Sequence, residues 1–255
     1  MNDKQDNSSE PNGSNRVCLV TGGSSGIGLA TAKLFAAKGY DVAICGRNMD
    51  NLIAAKDQVV AAGAAADQNV TCFAVQTDLT DVEQAKQLPG KVVESLGPIE
   101  VLVNNASMAP MSAFEEISSE TFESTIDIAV RSLFYLTQAV WADMKQQGRG
   151  VVVNISSLSA VDPFPGFSLY GACKAWLDLM THALATEGKE HGLRVCSIRP
   201  GAVETPMLRG LFPDFPADQC VQPEEIATAV WGCVEDPDKF PSGEAFPVTN
   251  QPMES

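Results

Sequence analysis

Short apolar segments alternate with helix-like patterns along almost the whole chain. Each apolar segment has the length of a strand and few charged residues, which is typical of strands buried on both faces of a parallel sheet. The segments predicted as strands are 16–23, 40–47, 69–80, 99–107, 150–157 and 193–201, with a short last strand at 243–250. Because strands alternate with helices, we expect a doubly wound parallel α/β sheet with helices on both faces.

The stretches between these segments repeat apolar residues at helical spacing. The predicted helices cover 27–39, 48–63, 81–96, 119–147, 169–188 and 223–236. The helix over 119–147 is predicted as one long element, and 206–222, rich in proline and aspartate, is predicted as irregular. No repeat or linker divides the chain, so we expect a single domain over 16–255 after a disordered tail at 1–15.

Composition excludes several classes of protein. The 255 residues carry a formal net charge of −15, which argues against nucleic acid as a partner. No apolar run reaches the length of a membrane span, so we expect no membrane contact. Seven cysteines are scattered without metal-ligand spacing, and there are two histidines, so we predict no metal site. Buried free thiols are typical of a reducing compartment, and we expect a cytoplasmic protein.

A glycine-rich turn follows the first predicted strand and opens the first predicted helix. Glycine permits a tight turn and a close approach of the backbone, and a helix N-terminus favours a pyrophosphate. The pattern predicts a dinucleotide site in a Rossmann fold, although an ordinary turn remains the alternative. The candidate cofactor-binding residues here are Gly22, Ser24, Ser25, Gly26, Ile27 and Gly28.

The second strand ends without the acidic residue that usually binds the ribose diol of NAD. It ends instead in Cys45, Gly46 and Arg47. Gly46 leaves room for a 2′-phosphate, and the guanidinium of Arg47 provides charge-assisted hydrogen bonds to one. The sequence therefore predicts NADP(H) in preference to NAD(H), with a solvated surface arginine as the alternative.

Three residues with complementary chemistry lie close together in the chain. Ser157 ends the fifth strand, Tyr170 follows thirteen residues later, and Lys174 lies one helical turn beyond it. A nearby ammonium lowers the pKa of a tyrosine and makes it usable as a general acid or base. A serine hydroxyl orients the carbonyl by hydrogen bonding. Taken alone, however, the Tyr–Lys pair is better interpreted as an exposed pair on an amphipathic helix, because the pattern fixes only two positions.

Taken together, these motifs resemble the short-chain dehydrogenase/reductase family in its compact, single-domain form, over about residues 16–248. The resemblance implies catalytic roles for Ser157, Tyr170 and Lys174, with Tyr170 and Lys174 also contacting the cofactor. It also implies further cofactor contacts, which are Asp78, Leu79, Asn105, Ala106, Pro200, Gly201, Val203 and Thr205.

The chain departs from the family pattern at three places, the first being Ser107, where the fourth-strand motif usually ends in glycine. The family usually has an asparagine, credited with supporting a proton relay, where this chain has Ala129. The usual Asp-Gly-Gly tail after the last strand is also missing. We expect an oxidoreductase that transfers a hydride between NADP(H) and a secondary alcohol or ketone. The alternative is an NADPH-binding sensor or scaffold protein with little turnover.

The resemblance also implies a homodimer or homotetramer, because the long helix and the tyrosine helix pack against their copies in the family. The substrate is expected to be a small carbonyl or alcohol compound, and segment 206–222 is expected to cover its pocket. Apolar residues expected at the subunit interface are Ala129, Val130, Leu133, Trp141, Trp176, Leu177 and Met180, unless they all belong to the domain core.

Overall fold

The structure is a computed structural model that describes residues 15–250 of the chain. The tail predicted at 1–15 lies outside the described residues, except for Asn15, whose side-chain amide donates to Asp41 Oδ1 at 3.1 Å. Within 15–250, no helix is long and apolar enough to cross a membrane. Over the same range, no group of three or more His, Cys, Asp or Glu side chains could hold a metal ion.

Seven parallel strands form one sheet in the order β3-β2-β1-β4-β5-β6-β7, which confirms the predicted doubly wound sheet. Strands β1, β4 and β5 are buried along their full length, as expected for strands covered on both faces. The order reverses between β1 and β4, which places a crevice at their carboxyl ends. The strands are β1 Val17–Thr21, β2 Asp41–Gly46, β3 Cys72–Gln76, β4 Ile99–Asn104, β5 Gly150–Ile155, β6 Leu193–Pro200 and β7 Ala245–Val248.

Helices cover both faces of this sheet. Helices α1, α2 and α8 pack on one face, and α3, α5 and α6 pack on the other. Successive strand residues alternate between the two faces, so that Leu19 and Val20 belong to different halves of the core. The helices in the described range are α1 Gly26–Ala37, α2 Met49–Ala65, α3 Val82–Leu96, α4 Ser119–Ile126, α5 Ser132–Gln147, α6 Ser168–Gly188, α7 Pro206–Leu211 and α8 Pro223–Glu235.

The segment predicted as one long helix contains a π turn at Asp127–Arg131, between α4 and α5. There the backbone N–H of Ser132 donates to Asp127 O, five residues back. The hydroxyl of Ser132 donates to Ile128 O at 2.8 Å, so that this carbonyl keeps a partner. The prediction of an uninterrupted α-helix is wrong at this turn, because hydrophobic periodicity does not resolve a single widened turn.

The segment predicted as irregular contains the short helix α7. Thr205 caps this helix by accepting a hydrogen bond from Leu208 N at 3.2 Å, and Pro206 occupies its first turn. The prediction is wrong for these six residues. The capping signal is present in the sequence, but the helix is too short to show an apolar period.

A buried polar network joins strands β4 and β5 to the helices that cover them. The side-chain amide of Asn104 donates to Asn154 Oδ1 at 2.9 Å and to Thr137 Oγ1 at 3.2 Å. The amide of Asn154 in turn donates to Thr181 Oγ1 at 2.8 Å. Because buried polar groups are costly when unpaired, these bonds set the positions of α5 and α6 on the sheet.

The residues predicted to form a subunit interface are divided by the structure. Three are buried inside the domain, so the prediction is wrong for Ala129, Leu133 and Leu177. All three are therefore among the buried apolar residues of the domain itself. Four are half-buried, namely Val130, Trp141, Trp176 and Met180. Two other apolar residues of α5 and α6 are more exposed, Phe134 at 41% and Leu179 at 70%.

The cysteines are all buried and unpaired, as the sequence predicted. Burial raises the pKa of Cys18 well above its ordinary value, and it raises the pKa of Cys45 and of Cys72 to about 12. These thiols therefore behave as small apolar side chains in the core.

Candidate active site

A cleft of about 960 Å³ opens at the carboxyl ends of the strands. Its lining includes both the three candidate catalytic residues, Ser157, Tyr170 and Lys174, and residues of the glycine-rich turn. The cofactor-binding candidates that line it are Gly22, Ser24, Ser25, Gly26, Ile27, Arg47, Asp78, Leu79, Asn105, Ala106, Pro200, Gly201, Val203 and Thr205. Gly28 is the one candidate outside this lining.

The glycine-rich turn is packed so tightly that side chains are excluded at two positions. Gly22 has φ +65°, and a Cβ there would lie 3.0 Å from Asn105 Nδ2. At Gly28 a Cβ would lie 2.3 Å from the carbonyl oxygen of Gly22. Gly28 therefore allows α1 to pack against the turn; it does not line the cleft, and its role in cofactor binding stays a prediction.

The start of α1 suits an anionic group. Ser25 occupies the N-cap position, but its side chain makes no capping hydrogen bond. The first N–H groups of a helix have no partner inside the helix, and the helix dipole favours negative charge at this end. Since the turn also excludes side chains, the residues present fit the pyrophosphate of a dinucleotide.

Arg47 and Asp78 line the cleft just beyond the carboxyl ends of β2 and β3. Arg47 is exposed at the tip of β2, and its guanidinium forms no ion pair with the residues described. A Cβ built on Gly46 would meet its nearest neighbour, Ser24 Oγ, at 3.5 Å, which is ordinary contact. The carboxylate of Asp78 accepts hydrogen bonds from Thr80 N and Oγ1, which hold it at the end of β3.

The three candidate catalytic residues converge from β5 and α6. Lys174 is 4% exposed, and its ammonium donates to Ile155 O at 2.7 Å, at the end of β5. Lys174 Nζ lies 5.5 Å from the centroid of the Tyr170 ring. Ser157 Oγ accepts a hydrogen bond from Ser159 N at 3.1 Å, which orients its hydroxyl within the cleft.

Burial shifts the pKa values of Tyr170 and Lys174 in opposite directions. It raises the pKa of Tyr170, although a hydrogen bond with Ser157 opposes this shift. It lowers the pKa of Lys174 to about 8. We expected the ammonium to lower the pKa of Tyr170, and that expectation is wrong for this structure. The reason is that desolvation disfavours the charged form of both groups.

A carboxylate lies one helical turn beyond Lys174. Asp178 accepts hydrogen bonds from Ser197 Oγ at 2.6 Å and from Arg199 Nε at 2.7 Å. Its negative charge opposes the lowering of the pKa of Lys174. These two hydrogen bonds hold α6 against β6 close to the amine of Lys174.

The outer part of the cleft is closed by α7 and the chain that follows it. The guanidinium of Arg209 pairs with Glu204, with Nε 2.7 Å from Oε1, and donates to Phe215 O at 2.6 Å. Phe167 lies between this cover and the catalytic residues, with its ring 6.2 Å from Phe212 and 5.6 Å from Tyr170. The segment expected to cover the pocket does lie along the cleft.

A model of the short chain dehydrogenase family matches residues 16–215. The chain belongs to this family. It is 34% identical over 237 residues to the acetoacetyl-CoA reductase of Shinella zoogloeoides. The aligned region covers 89% of this chain and 94% of that reductase. Membership of this family shows that the protein is an NAD(P)-dependent oxidoreductase.

Solved structures of similar proteins contain either form of the cofactor. A 3-ketoacyl-(acyl-carrier-protein) reductase from Brucella melitensis, complexed with NADH, is 26% identical with a TM-score of 0.82 and covers 92% of this chain and 97% of that one. An actinorhodin polyketide ketoreductase with NADPH is 28% identical with a TM-score of 0.84, and covers 92% of this chain and 96% of that one.

The motifs did not identify some residues that shape this short-chain dehydrogenase site. The Ile155 carbonyl holds Lys174, but a backbone atom leaves no trace in residue type. Ile128 lines the cleft from the π turn, which periodicity did not reveal. Thr77 and Ser107 also line it, and their positions in the carboxyl-terminal parts of predicted strands were an available signal.

The buried amine of Lys174 makes stability depend on pH. Between its folded pKa of about 8 and its ordinary value of 10.5, the unfolded chain binds more protons here than the folded chain. The contribution of this group to the free energy of unfolding therefore rises with pH in that window. We expect the unfolding free energy of the native chain minus that of Lys174→Met to increase by roughly 1 to 2 kcal/mol from pH 7.5 to pH 9.5.

Urea titrations of the cofactor-free proteins at the two pH values measure this difference. Lys91→Met is the matched control, because Lys91 is exposed on α3 and its amine stays in water. If the difference in unfolding free energy between the native chain and Lys174→Met changes with pH no more than the difference for Lys91→Met, the Lys174 amine is not desolvated.

Proposed function

We propose that the protein catalyses hydride transfer between NADP(H) and a secondary alcohol or ketone. The observation that carries the proposal is the convergence of Ser157, Tyr170 and Lys174 in the same cleft as the glycine-rich turn. When bound, the nicotinamide cofactor supplies or accepts the hydride. The chain provides the proton, the orientation of the carbonyl and the exclusion of water.

Each of the three residues has a separate task in this proposal. In reduction, the carbonyl carbon gains a hydride, and its oxygen gains the phenolic proton of Tyr170, giving the alcohol. The raised pKa keeps Tyr170 protonated and ready to donate near neutral pH. Ser157 donates a hydrogen bond to the same carbonyl oxygen. The ammonium of Lys174 stabilises the phenolate left behind and binds the cofactor ribose.

An NADPH-binding sensor with little turnover is the second candidate, and Ala129 is the residue that favours it. Ala129 is buried in the π turn where the family usually has an asparagine, so no side-chain amide supports a proton relay there. Single-turnover oxidation of bound NADPH by a ketone separates the two candidates, because a sensor would leave the bound NADPH unoxidised.

Replacing Tyr170 tests the proposed proton donor directly. Tyr170→Phe keeps the ring and its packing on Phe167 but removes the phenol. We expect NADPH binding to persist while turnover of a ketone panel falls about 10²-fold or more, the usual scale for loss of a general acid.

Tyr135→Phe is the matched control, because it removes a phenol from α5 outside the cleft lining. Steady-state rates and fluorescence titration of NADPH give the two readouts. Unchanged turnover in Tyr170→Phe would end the proposed mechanism.

The exposed guanidinium of Arg47 supports a preference for NADP(H) over NAD(H). We expect Arg47→Ala to weaken NADPH binding and to leave NADH binding nearly unchanged, because only NADPH has the 2′-phosphate. Gly46→Asp should shift the preference toward NADH, since the added carboxylate repels the phosphate and accepts the ribose hydroxyls.

Dissociation constants for both cofactors, measured by fluorescence titration, test this preference. Lys56→Ala removes another exposed cation, from α2, and serves as the control. Equal losses for NADPH and NADH in Arg47→Ala would show that the arginine is structural.

We infer that two copies pair through α5 and α6, as a homodimer or within a homotetramer. Phe134 and Leu179 are exposed there, and the exposed face of α6 otherwise carries small residues such as Ala172, Ala175 and Ala183. Small residues allow helices to approach closely across a two-fold axis.

Light scattering at micromolar concentration tests this pairing. We expect Leu179→Glu to shift the protein toward the monomer, whereas Ile53→Glu, at an apolar position on α2 that is 51% exposed, should not. A monomeric native protein would defeat the inference.

We also place the protein in the cytoplasm. The buried, unpaired state of all seven cysteines supports a reducing compartment.

A further inference from the structure

Three segments build the outer cleft beyond Tyr170, and they contact one another. They are 107–118, 158–168 and 204–222, and each contributes residues to the cleft lining. Ser112 N donates to Gly166 O at 3.0 Å, which joins the first two segments. The rings of Phe167 and Phe212 join the second to the third. The outer cleft therefore has a continuous wall.

The inner surface of this wall is strongly apolar. Phe164 lines the cleft and remains 68% exposed, and Met111 and Met207 are also exposed. Exposed apolar side chains gathered at a cleft mark a binding surface, because a ligand gains free energy by covering them. The apolar residues that line the wall include Met111, Phe164, Met207, Leu208, Phe212 and Phe215.

The same segments place two aspartates next to lining residues, and we call these two the acidic rim. Asp162 lies two residues before the lining residue Phe164, and Asp214 directly precedes Phe215. Both aspartates are exposed. In full, the three segments contain one basic residue, Arg209, which is paired with Glu204, and five acidic residues outside that ion pair, which are Glu115, Glu116, Asp162, Asp214 and Asp218.

The basic residues near the cleft are already engaged or lie elsewhere. Arg209 is paired with Glu204 and donates to backbone carbonyls, so its charge is neutralised locally. The two basic residues of the lining itself are Arg47, at the tip of β2, and Lys174, which is buried beside the Tyr170 ring. None of the three segments therefore provides an unpaired cation that could bind an anion at the mouth of the cleft.

Acidic charges around an apolar cleft act on charged ligands before contact. A cleft lined by one sign of charge lowers the local concentration of ligands with the same sign and raises that of the opposite sign. Aromatic faces such as Phe164 also attract cations. An uncharged ketone is affected neither by the acidic charges nor by the attraction between aromatic faces and cations.

We propose that the substrate of this cleft is an apolar ketone, uncharged or positively charged, and that ketones carried on polyanionic thioesters such as coenzyme A are disfavoured. This inference rests on the proposed oxidoreductase function. It separates the chain from the acetoacetyl-CoA reductase that it resembles. The charge of the rim, rather than the catalytic residues, makes the selection.

A charge series on one skeleton tests the proposal with the full chain and NADPH. The probes are acetophenone, the anion 4-acetylbenzoate and the cation 4-acetylphenyl-trimethylammonium, with acetoacetyl-CoA as the thioester. We expect kcat/KM for the anion to be about tenfold below that for the neutral ketone at low salt, and the gap to narrow as salt screens the rim. Acetoacetyl-CoA should fall below all three.

Charge reversal at the rim provides the matched variants. Asp162→Lys with Asp214→Lys should raise kcat/KM for the anion about tenfold relative to the neutral ketone. Asp57→Lys with Glu94→Lys makes the same change in net charge on α2 and α3, which contribute no residue to the cleft lining. Measured at an ionic strength of about 0.1 M, where the Debye length is about 10 Å, these control changes should alter the anion-to-neutral ratio by less than about twofold.

Two results would overturn the inference. One is an anion or acetoacetyl-CoA used as well as the neutral ketone, and the other is an equal response of the rim and control variants. Dissociation constants of the three small probes for the NADP⁺-bound protein, measured by calorimetry, give the same comparison without turnover. Probes that bind in the expected order but are never reduced would defeat the proposed function and support this inference.

Discussion

The hydroxyl of Thr21 holds together the crevice on which the site depends. It donates to Val103 O at 3.3 Å and accepts from the backbone N–H groups of Asn105 and Ala106, each at 3.0 Å. One side chain at the end of β1 thus sets the path of the chain leaving β4, where the strand order reverses. The amide of Asn105 returns a hydrogen bond to Thr21 O at 2.8 Å. The glycine-rich turn and the floor of the cleft are therefore fixed relative to each other.

Features that depend on local residue type could be predicted from the sequence. The strands were recognisable because both faces of the sheet are covered, which makes a run such as Val17–Thr21 apolar throughout. Their carboxyl ends then located Ser157, and helical spacing placed Tyr170 and Lys174 on one face. Features set by distant backbone were not predictable, such as the Ile155 carbonyl that receives the Lys174 ammonium. The π turn was missed for a related reason, since it changes hydrogen bonding without changing residue type.

Desolvation rather than charge pairing dominates the electrostatics around Tyr170. The Lys174 amine is held by a neutral carbonyl, and Asp178, its acidic neighbour, is shared with Ser197 and Arg199. No full counter-charge therefore offsets burial, and the pKa of Lys174 falls. This explains why residue types alone suggested the opposite shift for Tyr170. Sequence indicates which groups meet, whereas the depth at which they meet decides which protonation state is favoured.

The buried thiols have a consequence for following the protein in solution. A thiolate is the species that alkylating reagents attack, and burial both raises the pKa of Cys18, Cys45 and Cys72 and shields their sulfur atoms. Labelling must therefore wait for the surrounding structure to open. The remaining cysteines include Cys196 on β6 and Cys233 on α8, so natural reporters lie in both the sheet and a covering helix. Alkylation rates resolved by mass spectrometry would map local opening free energies across the domain without any introduced label.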